Sequence, residues 1–260
     1  MKIKSLIFYF ILILLSTNSV ILGQNISDTT HNSSLNKKYI LPSGAHTITK
    51  DFLIGKTHYE KDSSFVLIDK KHTILSPIYG RIQKITYAAY LKMYEAALKD
   101  GIKLTVTSAS RNYWVQRYIW DVKWNKYKDI GKNRVLRILQ YSSMPGISRH
   151  HWGTDMDFNG TSSSYWSSNS GQKTYNWLKN NAHKYGFFQP YTSKTNNDRT
   201  GFNEEKWHWS YAPLSNIYTK AYIDLIEISD TKNDIKGFAG DQFATELDII
   251  NTYVLGIDNL

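Results

Sequence analysis

The chain has 260 residues, with 32 lysines and arginines against 22 aspartates and glutamates, and no cysteine. That length suits one enzyme-sized domain with extensions and allows a substantial core, while the missing cysteine excludes disulfides, thiolate metal ligands and a lipid-modified cysteine anchor. The net charge is +10, or +8 once Lys2 and Lys4 of the leader are set aside; it suits a polyanion such as cell wall or lipid head groups, or a solubilising surface, and no Lys/Arg run or binding motif favours nucleic acid.

Residues 1–24 read as a secretory signal peptide, with two lysines, an apolar run over residues 5–15 and then small polar residues. The run is shorter than the roughly 20 residues of a membrane-spanning helix. The expectation is an exported protein of the periplasm, cell envelope or exterior, with no stable membrane anchor after cleavage. Residues 25–47, rich in Asn, Ser and Thr, read as a flexible leader, and residues 48–260 as a single domain with a C-terminal helical extension.

Within that domain, residues 48–79 suggest short strands and turns. Tyr87, Leu91, Tyr94 and Leu98 then recur at helical spacing until Gly101 stops the helix. Ile102, Leu104 and Val106 alternate as a strand, and "SASRNYWVQ" (residues 108–116) is a loop opening an aromatic-rich helix. A second, basic helix over residues 132–140 leads to a Pro145-Gly146 turn. Thr154, Met156 and Phe158 alternate with Asp155 and Asp157, so a strand puts both aspartates on one face. A Ser-rich loop (161–170), a helix ending at Gly186, a short strand, a polar loop (192–203) and "EEKWHWSY" follow. The tail shows helical patterns, clearest over residues 243–255. The sum is an α+β fold, a small and mainly antiparallel sheet flanked by helices.

"SRHHWGTDMDF" (residues 148–158) is too polar for an ordinary strand core. His150 and Asp157 flank Gly153, where the chain bends from loop to strand, and this suits two ligands of one ion. A catalytic zinc takes three protein ligands and leaves a position for water. "EEKWHW" supplies His208 as the third, with Glu205 three residues earlier as a general base. Aromatic alternation around His208 indicates a strand, which puts Glu205 in its irregular entry. His151 points away from His150 in an extended chain and reads as a structural contact. The H-E-x-x-H helix of many zinc peptidases is absent.

The pattern S-x-H-x-x-G-x-x-x-D (Ser148, His150, Gly153, Asp157), followed by E-x-W-H (Glu205, Trp207, His208), resembles the D-alanyl-D-alanine carboxypeptidase family of zinc peptidases, which includes the vancomycin-resistance carboxypeptidases and dipeptidases. The upstream segment is similar to that family's S-x-x-R-x-x-x-x-Q, matching Arg111 and Gln116. The resemblance covers about residues 87–211. It implies one zinc per chain on His150, Asp157 and His208, and Glu205 as base and then acid. Arg111 would steady the polarised carbonyl oxygen, with Ser148 and Gln116 toward substrate. Asp155 departs from the small residue many relatives carry there, and would orient a ligand or pair with a cation. The activity implied is hydrolysis of peptidoglycan stem peptides at D-Ala-D-Ala; an endopeptidase of L-Ala-D-Glu type and a non-catalytic wall-binding module are the alternatives. The oligomeric state is left open.

Overall fold

Alternation along residues 154–158 separates two chemistries. In the computed structural model, which describes residues 38–196, 198–227 and 229–258, Asp155–Phe158 forms strand β4 of a four-stranded sheet. The other strands are β3 (Val106–Ser108), β5 (Phe187–Phe188) and β6 (His208–Tyr211), in the order β3-β4-β6-β5 with every pairing antiparallel. A separate hairpin pairs β1 (Phe65–Leu67) with β2 (Arg81–Gln83). The signal-peptide segment and most of the expected leader lie outside the described residues. Met1–Ile40, of which residues 38–40 are described, forms one unit, and Leu41–Leu260 forms the other, which holds everything discussed below.

One face of the sheet carries Val106, Met156, Phe158, Trp207 and Trp209 into the main core. That core is closed by helix α2 (Lys84–Lys99) through Tyr90, Met93 and Ala97, and by helix α6 (Asn169–Asn181) through Tyr175 and Leu178. The opposite face carries Asp155, Asp157 and His208, as period-two alternation requires. Helix α3 (Tyr113–Lys126) starts just after β3, with the Asn112 side chain accepting from the Val115 amide at its N-terminus. Helix α4 (Lys132–Ile138) follows. After β6, helix α7 (Ala212–Leu225) has Pro213 in its first turn and buries Leu214, Tyr218 and Tyr222.

Several elements differ from the sequence expectation for local reasons. The segment expected as short strands and turns contains helix α1 (Lys50–Leu53), because the Thr49 hydroxyl accepts from the Phe52 amide and caps it. The fully buried stripe of α2 is Thr86, Tyr90, Met93 and Ala97, one position off the expected Tyr87, Leu91, Tyr94 and Leu98. Tyr87 keeps its hydroxyl at the rim, accepting from the Asp69 amide and bonding His72, while Leu98 is half exposed. The strand after Gly101 pairs only from Val106. The Ser-rich segment is not a loop but helix α5 (Ser163–Ser167) and the start of α6. Buried Trp166 anchors it by donating to the Gly160 carbonyl, and Ser168 caps α6. In the tail, the expected 243–255 helix is reduced to a short π-helical segment, Ile250–Val254, preceded by helix α8 (Asp230–Asn233) and a 3-10 turn, Asp241–Phe243. Asp248 has a positive φ of 44° there, and right-handed helix cannot pass through it.

The β1–β2 hairpin buttresses the turn between His150 and Asp157. Gln83 donates from its backbone to the Gly153 carbonyl and from its side chain to the Trp152 carbonyl. Gly153 has a φ of 65°, and a Cβ there would lie 2.5 Å from Phe65 Cε1 and 3.0 Å from Gln83 Cγ. Gly153→Ala therefore combines left-handed backbone strain with overpacking, together about 2–4 kcal/mol. At about 2–4 °C per kcal/mol for a domain of this size, the melting temperature should fall by roughly 5 °C or more; an unchanged melting curve would mean that the hairpin yields freely.

Candidate active site

Asp157 and His208 are directly opposite each other in the β4–β6 register, which brings facing side chains within a few ångströms. His208 Nδ1 lies 3.1 Å from Asp157 Oδ1, and His150 Nε2 lies 3.4 Å from the same oxygen. One ligating atom from each of the three residues fits within 4.8 Å of the others, and all three residues are buried. His150 arrives from a 3-10 turn, Arg149–Trp152, that ends at Gly153.

Each imidazole has one nitrogen committed elsewhere. His150 Nδ1–H donates to the Ala109 carbonyl at 2.9 Å, and His208 Nε2–H donates to Asp155 Oδ1 at 2.9 Å. The remaining nitrogens therefore present lone pairs toward Asp157. His150 Nε2 and Asp157 Oδ1 have no hydrogen-bond partner. Three buried lone pairs converging on one point are repulsive unless a proton or a cation lies between them. When no cation lies between these groups, burial lowers His208, yet the hydrogen bond to Asp155 and the charges of Asp155 and Asp157 overcome this and lift it to about 9, the proton standing where a cation would. Burial likewise opposes ionisation of Asp157, but the two histidines hold its carboxyl well below the usual range. This donor set of two imidazoles and a carboxylate fits zinc, and the partners on the far nitrogens are those that fix a ligand's tautomer and aim.

Glu205 lies outside β6, in the irregular entry where the sequence put it. The His208 amide donates to the Glu205 carbonyl, and Glu205 Oε2 reaches to 3.6 Å from His208 Nδ1. Burial lifts its carboxyl to about 7. Glu204 turns away, accepting from Tyr175 with Lys206 at 4.0 Å. Arg111 is half-buried at the start of α3, its Nε without a partner, and lies in the field of Asp157 and Glu205. These groups line a cleft of about 1190 Å³ together with Ser148 and Tyr191. Gln116 is fully buried behind the wall instead, where its side chain donates to the Ser143 carbonyl, and Ser143 lines the cleft.

His151 laces the two site loops together. Its Nδ1–H donates to the Arg111 carbonyl, its Nε2 accepts from the Gly146 amide, and Tyr59 donates to the Arg111 and His151 carbonyls. Burial keeps this ring neutral, pushing it down to about 3.

Arg149, which the sequence reading passed over, completes the site from behind. Its guanidinium is buried, donating from Nε to Asp155 Oδ1 at 3.3 Å and from Nη1 and Nη2 to Thr219 and Ser210 at 2.9 Å each. It also stacks over Trp152 and Phe188. Asp155 thus both orients His208 and pairs with a cation. The signal was available: two opposite charges six positions apart in a stretch otherwise destined for burial. Removing one partner leaves an uncompensated buried charge, so Arg149→Met should cost about 3–5 kcal/mol in urea unfolding. Arg149→Met with Asp155→Ala should cost less than the sum of the single changes, because the pair is coupled. Additive losses would show that the two charges do not depend on each other.

Comparison with known proteins identifies the family. A protein of Bacillus subtilis (strain 168), YodJ, provisionally named a carboxypeptidase, is 30% identical over 180 residues, covering 68% of this chain and 58% of its own length. The D-alanyl-D-alanine carboxypeptidase of Enterococcus faecalis (strain ATCC 700802 / V583) is 26% identical over 176 residues, 63% of each chain. This chain thus spans about three-fifths of the length of these relatives. Among solved structures, VanYB in complex with D-alanine-D-alanine is similar at 24% identity and a TM-score of 0.47, covering 66% of this chain and 89% of that one. The sequence model of the VanY D-alanyl-D-alanine carboxypeptidase family matches residues 80–214, a stretch that contains Arg111, His150, Asp157, Glu205 and His208. The chain belongs to the VanY D-alanyl-D-alanine carboxypeptidase family.

Proposed function

We propose that this protein is an exported zinc-dependent carboxypeptidase that removes the terminal D-alanine from peptidoglycan stem peptides ending in D-Ala-D-Ala. The observation that carries the reading is the convergence of the free lone pairs of His150, Asp157 and His208 beside a buried carboxyl, on the wall of an open cleft. Family membership supplies the reaction class, and the apolar leader over residues 5–15 supports export.

His150, Asp157 and His208 would hold the zinc, which when bound supplies a Lewis acid that makes water nucleophilic at neutral pH. Glu205 takes the proton of the attacking water and returns it to the departing amine nitrogen. Its burial suits this double duty, because a carboxyl raised toward neutrality both accepts and releases a proton near pH 7. Arg111 stabilises the negative charge that gathers on the carbonyl oxygen as it becomes tetrahedral. Asp155, held by Arg149, keeps His208 in the tautomer whose Nδ1 is free.

The purified protein should carry about one zinc per chain. His150→Ala and His208→Ala should lose both metal and hydrolysis of a D-Ala-D-Ala peptide, followed by elemental analysis and mass spectrometry; full activity after exhaustive chelation would rule out the metal mechanism. Glu205→Gln should keep its zinc and lose roughly a hundredfold or more in rate. Glu204→Gln, whose carboxylate is occupied by Tyr175, should remain near wild type. Equal losses in the two variants would mean that the base is assigned to the wrong residue.

A further inference from the structure

The cleft contains a cation that the mechanism does not use. Of the basic residues lining it, Arg149 is bound to Asp155, Lys206 lies near Glu204 and over the Tyr175 ring, and Lys126 lies over Tyr127. Lys123 also lines the cleft, yet among the described residues its ammonium has no hydrogen bond, ion pair or ring contact. Its position is set by rigid structure. Val115, Ile119 and Lys123 follow one another at four-residue intervals on α3 and all line the cleft, so they form one face of the helix that begins beside Arg111.

Lys123 is half-buried and lies in the fields of Arg111, Glu205 and Asp157. Burial pushes its ammonium down, and Arg111 adds to this. An ammonium partly withdrawn from water without an acceptor has lost hydration and gained nothing in return. An incoming anion would restore what was lost. The flexible four-carbon stem and three donors of lysine suit a carboxylate whose orientation varies.

We propose that Lys123 is a substrate-binding residue that receives a carboxylate of the peptide. The proposal rests on the peptidase reading and adds to it a specificity determinant on α3, outside the three motifs of the sequence. Two carboxylates have the required chemistry: the free C-terminal one, which would make the enzyme act at chain ends, and that of an acidic residue inside the stem.

The test uses the full chain carrying Glu205→Gln to block turnover. Binding of three short peptides is measured by calorimetry: one with an internal glutamate and a free D-Ala-D-Ala end, its C-terminal carboxamide, and its internal glutamine analogue. The parent should bind the free acid roughly tenfold to a hundredfold more tightly than the analogue lacking the carboxylate that Lys123 receives. Adding Lys123→Met should bring that ratio close to one without weakening the neutral analogue, and Lys123→Arg should retain most of the preference. Loss of the preference at the C-terminal end identifies the terminal carboxylate, and loss at the internal position identifies the acidic residue. Both ratios unchanged in Lys123→Met would overturn the proposal alone if wild-type protein hydrolyses the peptides. A parent that binds none of them, with a wild type that cleaves none, would overturn the peptidase reading and this proposal together.

Discussion

The buried Arg149–Asp155 pair is the constraint on which the site is built. Two charges withdrawn from water are tolerable only when their geometry is complete, and here Thr219, Ser210, Thr154 and His208 satisfy what the pair leaves over. These partners tie together the 3-10 turn that carries His150, the strands β4 and β6, and helix α7. The cost of misplacing any of them is an unsatisfied charge, so the arrangement specifies one register. That register sets Asp157 opposite His208.

A second set of ties fixes the other wall. His151 and Tyr59 join the loop carrying Arg111 to the turn carrying His150, through backbone carbonyls and a neutral ring. The β1–β2 hairpin presses Phe65 and Gln83 against Gly153 from below. Residues far apart in the chain thereby hold the loop that carries Arg111 against the turn that carries His150. Conserving space at Gly153 is part of the same device, since a single methyl group would push the hairpin off the turn.

The cleft brings together charges of both signs. Carboxylates and imidazoles converge at one point where a cation is favoured, and the positively charged Arg111 and Lys123 line the same cleft. Glu205 lies beside His208, and burial lifts its carboxyl to about 7.

Much of this was legible in the sequence because it depends on local spacing. Alternation over residues 154–158 put Asp155 and Asp157 on one strand face, Gly153 marked the bend, and the aromatic flanks of His208 placed Glu205 outside the strand. The amphipathic helix before Gly101 was visible, but two apolar stripes one residue apart look alike until a partner surface selects Tyr90, Met93 and Ala97. Tertiary structure alone decided the rest. Asp155 needed a cation, and spacing offered Arg149 six positions away, but only the fold shows that guanidinium held in place by Ser210 and Thr219. Gln116 shares a face of α3 with Lys123, seven positions on, yet Gln116 is covered and donates to the Ser143 carbonyl while Lys123, with no motif around it, lines the cleft. Periodicity records which residues share a face; which face meets which neighbour is settled by long-range packing, where the energies of buried charge and close contact are largest.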